Sequence, residues 1–295
     1  MTRDREGRAD REDAITAFEI VGNEIRARIL YALGSSRDGT EPPPVVPFSE
    51  LRRATDGDVD SSKFNYHLQR LVGRYVERTD EGYRMRPAGM LLYRTIRAGT
   101  ITRDLSPRSI DTGIGCYRCD GTIVADSSYG EFWLTCDACD HFYDMVMVPP
   151  GAVGRGDDPD LLARLDARNR HERFAFGRGS CPLCANRVTP SIRDVDVYPY
   201  TDTELIDHHV HWACDHCGHR SYASVGMTVI DRPPVVSFFA DRGVDLAAAP
   251  VWTREFAMTD RSVERLADGL SLTLTCGGDS MELFVDERLS VSVRD

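Results

Sequence analysis

Eight thiols supply the most explicit chemistry in this 295-residue sequence. Cysteines stand at 116, 119, 136, 139, 181, 184, 214, 217 and 276, and all but Cys276 fall into C-x-x-C pairs. A two-residue spacer lets a tight turn aim both sulfurs at one ion about 2.3 Å away. Sixteen residues separate Cys119 from Cys136, which is zinc-ribbon spacing. Between Cys184 and Cys214 the gap is 29 residues, which a longer hairpin can still close. Two Zn2+ ions per chain are therefore expected. One is held by Cys116, Cys119, Cys136 and Cys139, the other by Cys181, Cys184, Cys214 and Cys217. Four thiolates fill a tetrahedral shell and leave no position for a reacting water. Neither H-E-x-x-H nor the deaminase pattern H-x-E…C-x-x-C occurs. The sites thus read as structural and the chain as a non-enzyme. Thiol redox cycling is a third-ranked reading, because no strand–helix–strand unit frames any pair.

The stretch CDHCGH (214–219) holds four candidate ligands in six positions. So short a segment can hardly surround an ion, since zinc sites clamp the metal between two elements. Cys214 and Cys217 are read as half of the second site, with His216 and His219 outside the shell. In HHVH (208–211), His209 and His211 alternate on one strand face. They are read as half-buried strand histidines, and metal contact by any of these four histidines is left open.

Positioning the thiols requires hairpins. TIVAD and EFWLT are strand-like around SSYG, and RVTPSIRDVDVY and HHVHWAC flank PYTDTE. Residues 157–177 read as a polar helix that spaces or orients the two modules. Beyond them, Asp231 is expected to cap a proline-initiated helix ending near Gly243. Strands are expected over 270–276, 281–286 and 289–293, forming a small sheet on that helix. Trp252 and Phe256 are candidates for its core, and Cys276 for a buried small hydrophobe.

The first hundred residues carry no cysteine and a different pattern. Ala14, Ala17, Phe18 and Val21 form one helical stripe. Asn23 caps a second helix with Ile25, Ile29, Leu30 and Leu33 inward, closed by Gly34. A proline-rich connector over 35–47 leads to a short helix at 48–55 with Ser49 as its cap. Over 60–73, Phe64, Leu68, Leu71 and Val72 line one face of a helix. Ser61, Ser62, Lys63, Asn65, Tyr66, Gln69 and Arg70 lie away from it. Asn and Gln suit adenine, Arg and Lys suit guanine or phosphate. Two short strands over 75–86 carry Arg78 and Arg84, and Pro87 starts a last helix. Three helices, a hairpin and a final helix in this order make a winged helix-turn-helix, whose second motif helix enters the major groove.

Charge agrees with that reading. The chain carries −11 overall, as +1 over residues 1–100 and −12 over 101–295. Residues 61–100 alone carry +5, a local basic patch on an acidic chain. Lys63 is the only lysine, and acidic, lysine-poor chains resemble proteins of salt-in halophilic archaea.

The segments AFEIVGNEIRARILYAL, FSELRRAT and SSKFNYHLQRLVGRYVERTDEGYRMRPAG resemble arsenic-repressor-type (ArsR-type) winged-helix regulators, most closely haloarchaeal ones fused to cysteine-pair zinc modules. The resemblance covers about residues 14–100, and the cysteine region more loosely. It implies a homodimer on a two-fold double-stranded DNA site. The metal-sensing cysteines of that family are missing here, so sensing at those positions is not implied. The expected class is α+β multidomain. It comprises a disordered tail at 1–12, a DNA-binding domain at 13–103, and zinc ribbons at 112–150 and 179–230. A helical linker spans 151–178, and a helix plus a small antiparallel sheet span 231–295. The alternative function is a zinc-ribbon adaptor for protein partners that does not bind DNA. No apolar run is long enough to span a membrane and no apolar leader is present, which reads as cytoplasmic.

Overall fold

The computed structural model describes residues 12, 15–36, 44–55, 59–128, 130–153, 156–194 and 205–294. The expected tail, most of the proline-rich connector and the PYTDTE loop lie outside these. Two units divide the chain, Met1–Arg103 and Asp104–Asp295.

In the first unit, residues 15–21 are helical and are followed by α1 (Glu24–Ser35), α2 (Phe48–Ala54) and α3 (Ser61–Leu71). Strands β1 (Val76–Arg78) and β2 (Tyr83–Met85) and helix α4 (Pro87–Arg97) complete it. Asn23 caps α1 by accepting from the Ile25 and Arg26 amides, which satisfies donors that the first turn cannot pair internally. Asp60 does the same for α3 at Ser62. Ile29, Leu30, Leu33, Leu51, Phe64, Leu68 and Leu71 are buried together with β1, β2 and α4. Each such side chain contributes on the order of 2 kcal/mol on leaving water. Val46 exchanges both backbone hydrogen bonds with Tyr83, adding a short third line of pairing beside the hairpin.

Three local expectations are corrected. Gly34 does not terminate α1 in the left-handed region; it lies inside the helix, where a Cβ would meet the Tyr93 ring at 2.3 Å. Ser49 is not a cap, because α2 already begins at Phe48 after Pro47. Phe18 is 75% exposed, and Ile20 and Val21 are the residues of that segment that touch the core.

The second unit is built on antiparallel sheets, giving a mixed α+β chain. Strands β3 (Ser109–Gly115), β4 (Thr122–Ser128), β5 (Glu131–Cys136) and β6 (Phe142–Met147) form a meander. Helix α5 (Asp158–Gly177) leads to a three-stranded sheet of β7 (Val188–Asp194), β8 (His208–Cys214) and β9 (Arg220–Ser224). Helices α6 (Val225–Val229), α7 (Pro233–Ala240) and α8 (Glu255–Met258) precede strands β10 (Val263–Leu266), β11 (Gly269–Cys276), β12 (Asp279–Asp286) and β13 (Val291–Arg294). Four strands, not three, make that last sheet.

One hydrophobic core runs through all of this. The expectation of a polar spacer helix is therefore corrected. Leu161, Leu162, Leu165 and Phe176 of α5 are buried in the shared core. Arg173 of α5 pairs with buried Asp144 of β6 at 2.5 Å, and Trp252 donates its indole N–H to the same carboxylate at 3.0 Å. Trp252 thus joins the C-terminal segment to the first sheet. Asp231 does not cap α7; its carboxylate takes Arg170 at 2.8 Å. Cys276 is half-buried at the end of β11 rather than deep in the core.

Candidate metal centres

All four C-x-x-C segments fold into the same turn. The amide of each first cysteine donates to the carbonyl five residues on: Cys116 to Gly121, Cys136 to His141, Cys181 to Asn186 and Cys214 to His219, at 2.8–2.9 Å. In three of them the residue after the second cysteine is left-handed, namely Asp140 (φ 54°), Ala185 (φ 58°) and Gly218 (φ 73°). Their amides donate back to the carbonyls of Cys136, Cys181 and Cys214. A left-handed alanine costs about 1–2 kcal/mol, so Ala185 holds a strained turn that the surrounding contacts must offset. The turn also points amides at sulfur. Arg118 donates to Cys116 Sγ at 3.3 Å, and Ala138 to Cys136 Sγ at 3.4 Å. Such bonds stabilise thiolate charge.

Strand pairing brings the turns together two by two. Ile123 opposite Cys136 closes the first pair of turns, and Val188 opposite Cys214 closes the second. The ligand atoms of Cys116, Cys119, Cys136 and Cys139 all lie within 4.8 Å of one another, and so do those of Cys181, Cys184, Cys214 and Cys217. Individual Sγ–Sγ separations are 3.9 Å (Cys116–Cys139) and 3.5 Å (Cys119–Cys136) in the first group. In the second they are 3.6 Å (Cys181–Cys217), 3.5 Å (Cys184–Cys214) and 3.5 Å (Cys184–Cys217). Disulfide sulfurs would stand about 2 Å apart. A tetrahedron of sulfurs at about 2.3 Å from zinc has edges of about 3.8 Å. The geometry fits two zinc ions per chain, on the eight cysteines that the spacing singled out.

Thiol acidity inside each group follows from crowding. Burial pushes Cys116 up, but the Tyr143 hydroxyl and the Arg118 and Cys119 amides outweigh it and bring it to about 6. The amide and side chain of Asn186 bring Cys184 to about 6. Against bonds from the Gly121 and His219 amides, neighbouring thiols hold Cys119 and Cys217 up at about 12. Four sulfurs at this distance cannot all ionise unless a cation sits among them, which is the condition a bound zinc supplies. Tyr143 and Asn186 were not found from sequence. Tyr143 accepts the Tyr117 amide at 2.9 Å and places its hydroxyl 3.1 Å from Cys116 Sγ. Its position in the strand just beyond Cys139 was the only available signal.

Family comparison gives this region a boundary. Residues 113–291, more than half of the chain, match the family described as Domain of unknown function (DUF7351). The chain belongs to the DUF7351 family. Residues 14–96 match a separate family, Domain of unknown function (DUF7347). No curated protein matches the chain. The DUF7351 segment contains both sulfur groups complete.

The histidines of the DUF7351 segment stand outside both groups of ligands. His216 is exposed, and His219 closes its turn through its carbonyl while its ring meets Phe176 edge-on at 5.0 Å. Its Nδ1 lies 3.8 Å from Cys181 Sγ. His209 and His211 are buried rather than half-buried, on the β8 face that meets Tyr222. Burial, then Arg193, Arg220 and His209, lower the pKa of His211 and keep its ring neutral.

In the DUF7347 segment, α3 buries Phe64, Leu68 and Leu71 and, unanticipated, His67, which faces Arg26 at 3.3 Å. Ser61, Ser62, Lys63, Asn65, Tyr66, Gln69 and Arg70 are exposed on the same helix. Gln69 Nε2 donates to Asn65 Oδ1 at 3.3 Å and to the Tyr83 hydroxyl at 3.4 Å. On the hairpin, Arg78 is exposed, whereas Arg84 is half-buried and paired with Glu77 at 2.7 Å. That pair leaves Arg78 as the less encumbered of the two cations.

Proposed function

We propose that the chain is a DNA-binding transcriptional regulator, with residues 24–97 acting as an ArsR-like winged helix-turn-helix and two structural zinc centres stabilising residues 104–295. One observation carries the reading. Helix α3 is amphipathic in an unusual way: its outer face consists entirely of hydrogen-bonding side chains, including Lys63, Gln69 and Arg70, and it holds no acidic residue. An ordinary solvated helix mixes charge signs, whereas a helix that lies along phosphates favours cations and neutral hydrogen-bonders over carboxylates, which the phosphates repel. The order α1–α3, hairpin, α4 supports reading that helix as the second of a helix-turn-helix, with Arg78 on the wing. Exposed Phe18, Tyr31 and Leu91 supply apolar surface for a homodimer on two half-sites. The zinc centres, being four-thiolate, stabilise the fold and take no part in a reaction.

The test is a mobility shift of the zinc-loaded chain on its own upstream DNA at high potassium chloride, where counterion release contributes little. A specific shift is expected. The double variant Gln69→Ala, Arg70→Ala should weaken it at least tenfold, because each lost base contact is worth roughly 1–3 kcal/mol. Equal shifts for variant and wild type would remove α3 from recognition. No shift at all, with zinc retained, would favour the protein-adaptor reading, for which the −12 charge of residues 101–295 is the supporting feature.

A further inference from the structure

A cleft in residues 104–295 gathers four arginines, Arg170, Arg173, Arg178 and Arg232, against an apolar wall that includes Phe174 and Trp212. Two of the four are already neutralised. Arg170 pairs with Asp231 at 2.8 Å and donates to the Leu246 carbonyl, and Arg173 pairs with Asp144. The other two meet no carboxylate at ion-pair distance among the described residues. Arg232 donates only to the carbonyls of Gly177 at 3.4 Å and Leu289 at 3.2 Å. Arg178 lies over the Phe174 ring at 5.1 Å. Arg232 is half-buried, and its burial, followed by repulsion from Arg178, lowers its pKa. Arg232 is therefore a partly desolvated cation that Asp231 attracts without reaching ion-pair distance, with exposed Arg178 as a second cation beside it; an entering anion would relieve both the desolvation and the repulsion.

A separate observation concerns the wall. Trp212 is fully buried, and its indole N–H has no acceptor among the described residues. Buried donors are normally paired. Asp231, the carboxylate of the cleft, is already engaged by Arg170, so the free capacity of the site consists of donors. The cleft spans about 510 Å³, solvent at its open side included.

We propose that this cleft binds a small organic anion, with a carboxylate or phosphate head between Arg178 and Arg232 and an apolar body against Phe174 and Trp212. Guanidinium forks match such oxyanions in geometry as well as in charge. The site does not depend on whether α3 binds DNA, and it would make residues 104–295 a ligand-responsive body as well as a zinc-stabilised one.

The test uses the full-length, zinc-loaded chain, with tryptophan fluorescence and calorimetry as readouts. Phenylacetate and phenyl phosphate are the probes, and neutral phenylacetamide is the control. At least one anion should saturate and bind about tenfold or more tighter than the amide. Arg178→Gln, at an exposed position, and Arg232→Gln should each weaken that binding about tenfold. Trp212→Phe, which removes the N–H donor and part of the apolar wall, should also weaken it. Zinc content should stay at two per chain in the variant used. Failure of both anions to saturate would overturn the proposal. So would amide binding as tight as the anions, or Arg178→Gln binding as tightly as wild type. Competition by chloride that abolishes any preference among the probes would reduce the site to a halide site and equally overturn it.

Discussion

The two sulfur centres share a turn and differ in what encloses it. The first is closed by a four-stranded meander, its hairpin turns within a few residues at Gly130, and Tyr143 reaches in to hydrogen-bond Cys116. The second is closed by three strands, and Cys217 is exposed while Cys139, at the matching place, is half-buried. Outside each centre stands a buried carboxylate. Asp144 beside the first is neutralised by Arg173, but Asp260, which holds the start of β8 in the second, has no arginine or lysine at ion-pair distance among the described residues. The same ligand set is therefore placed in two environments that differ in burial and in charge pairing. Ligand chemistry fixes that zinc binds; the enclosing strands decide how tightly it is kept.

The largest expected effect comes from removing a buried ligand of the first centre. Zinc binding supplies about 10–16 kcal/mol of apparent folding energy in small metal-dependent domains, and both centres open onto one core. Cys136→Ser should drop the zinc content below two per chain and abolish the cooperative unfolding of residues 104–295. Cys217→Ser, at the exposed ligand of the second centre, should lose one zinc yet keep a folded chain. Mass-spectrometric zinc counting combined with circular dichroism checks both. If Cys217→Ser proved the more damaging of the two, the ranking of the centres would be reversed.

The sequence already named all eight ligands, because C-x-x-C spacing is a local turn written in local residues. It places His216 and His219 outside the shell while leaving their contact with metal open; the ligand atoms that gather in the two groups are cysteine sulfurs. The helix boundary at Asn23 was similarly legible, since caps are short-range. What it could not show was long-range. α5 reads as polar because of residues such as Arg170, Arg173 and Asp166, yet those groups meet partners contributed from residues 144, 231 and 251, of which Asp144 and Val251 are buried. Strands β3, β6, β9 and β10 were missed because their alternation is weak, although each pairs with the strand next to it in the chain. Gly34 looked like a helix stop, and only the Tyr93 ring, 59 residues later, explains it as a close approach.

A smaller effect should separate the centres kinetically. With a chelator in excess, zinc should leave in two phases, the faster from Cys181, Cys184, Cys214 and Cys217, because Cys217 is the exposed ligand at which a competing ligand can begin. Release followed with a chromogenic chelator should show a rate difference on the order of tenfold or more, the scale on which outer contacts such as that of Tyr143 act. The Cys217→Ser variant should lack the fast phase. One uniform phase in the wild type would mean that the strands around the two centres shield them equally.

The smallest expected effect concerns the carboxylate that distinguishes the second module. Asp260 Oδ2 accepts the amides of Asp207 at 2.9 Å and His208 at 2.8 Å, while Oδ1 has no partner among the described residues. Burial outweighs those two bonds and pushes its carboxyl up to about 6. The folded state therefore holds this proton more tightly than the unfolded chain does. Its contribution falls as pH rises from the ordinary carboxylate range through about 6, and above that the full penalty of the buried charge remains. Asn at 260 can still accept both amides through its carbonyl and carries no charge. Asp260→Asn should thus stabilise the zinc-loaded chain relative to wild type, and its advantage should grow by roughly 1 kcal/mol between about pH 5.5 and 7.5. Denaturant unfolding across that range, where the thiolate centres stay loaded, checks it. An advantage that shrinks with rising pH would show that Asp260 is ionised at little cost, and would place the weakness of the second module in its exposed Cys217 alone.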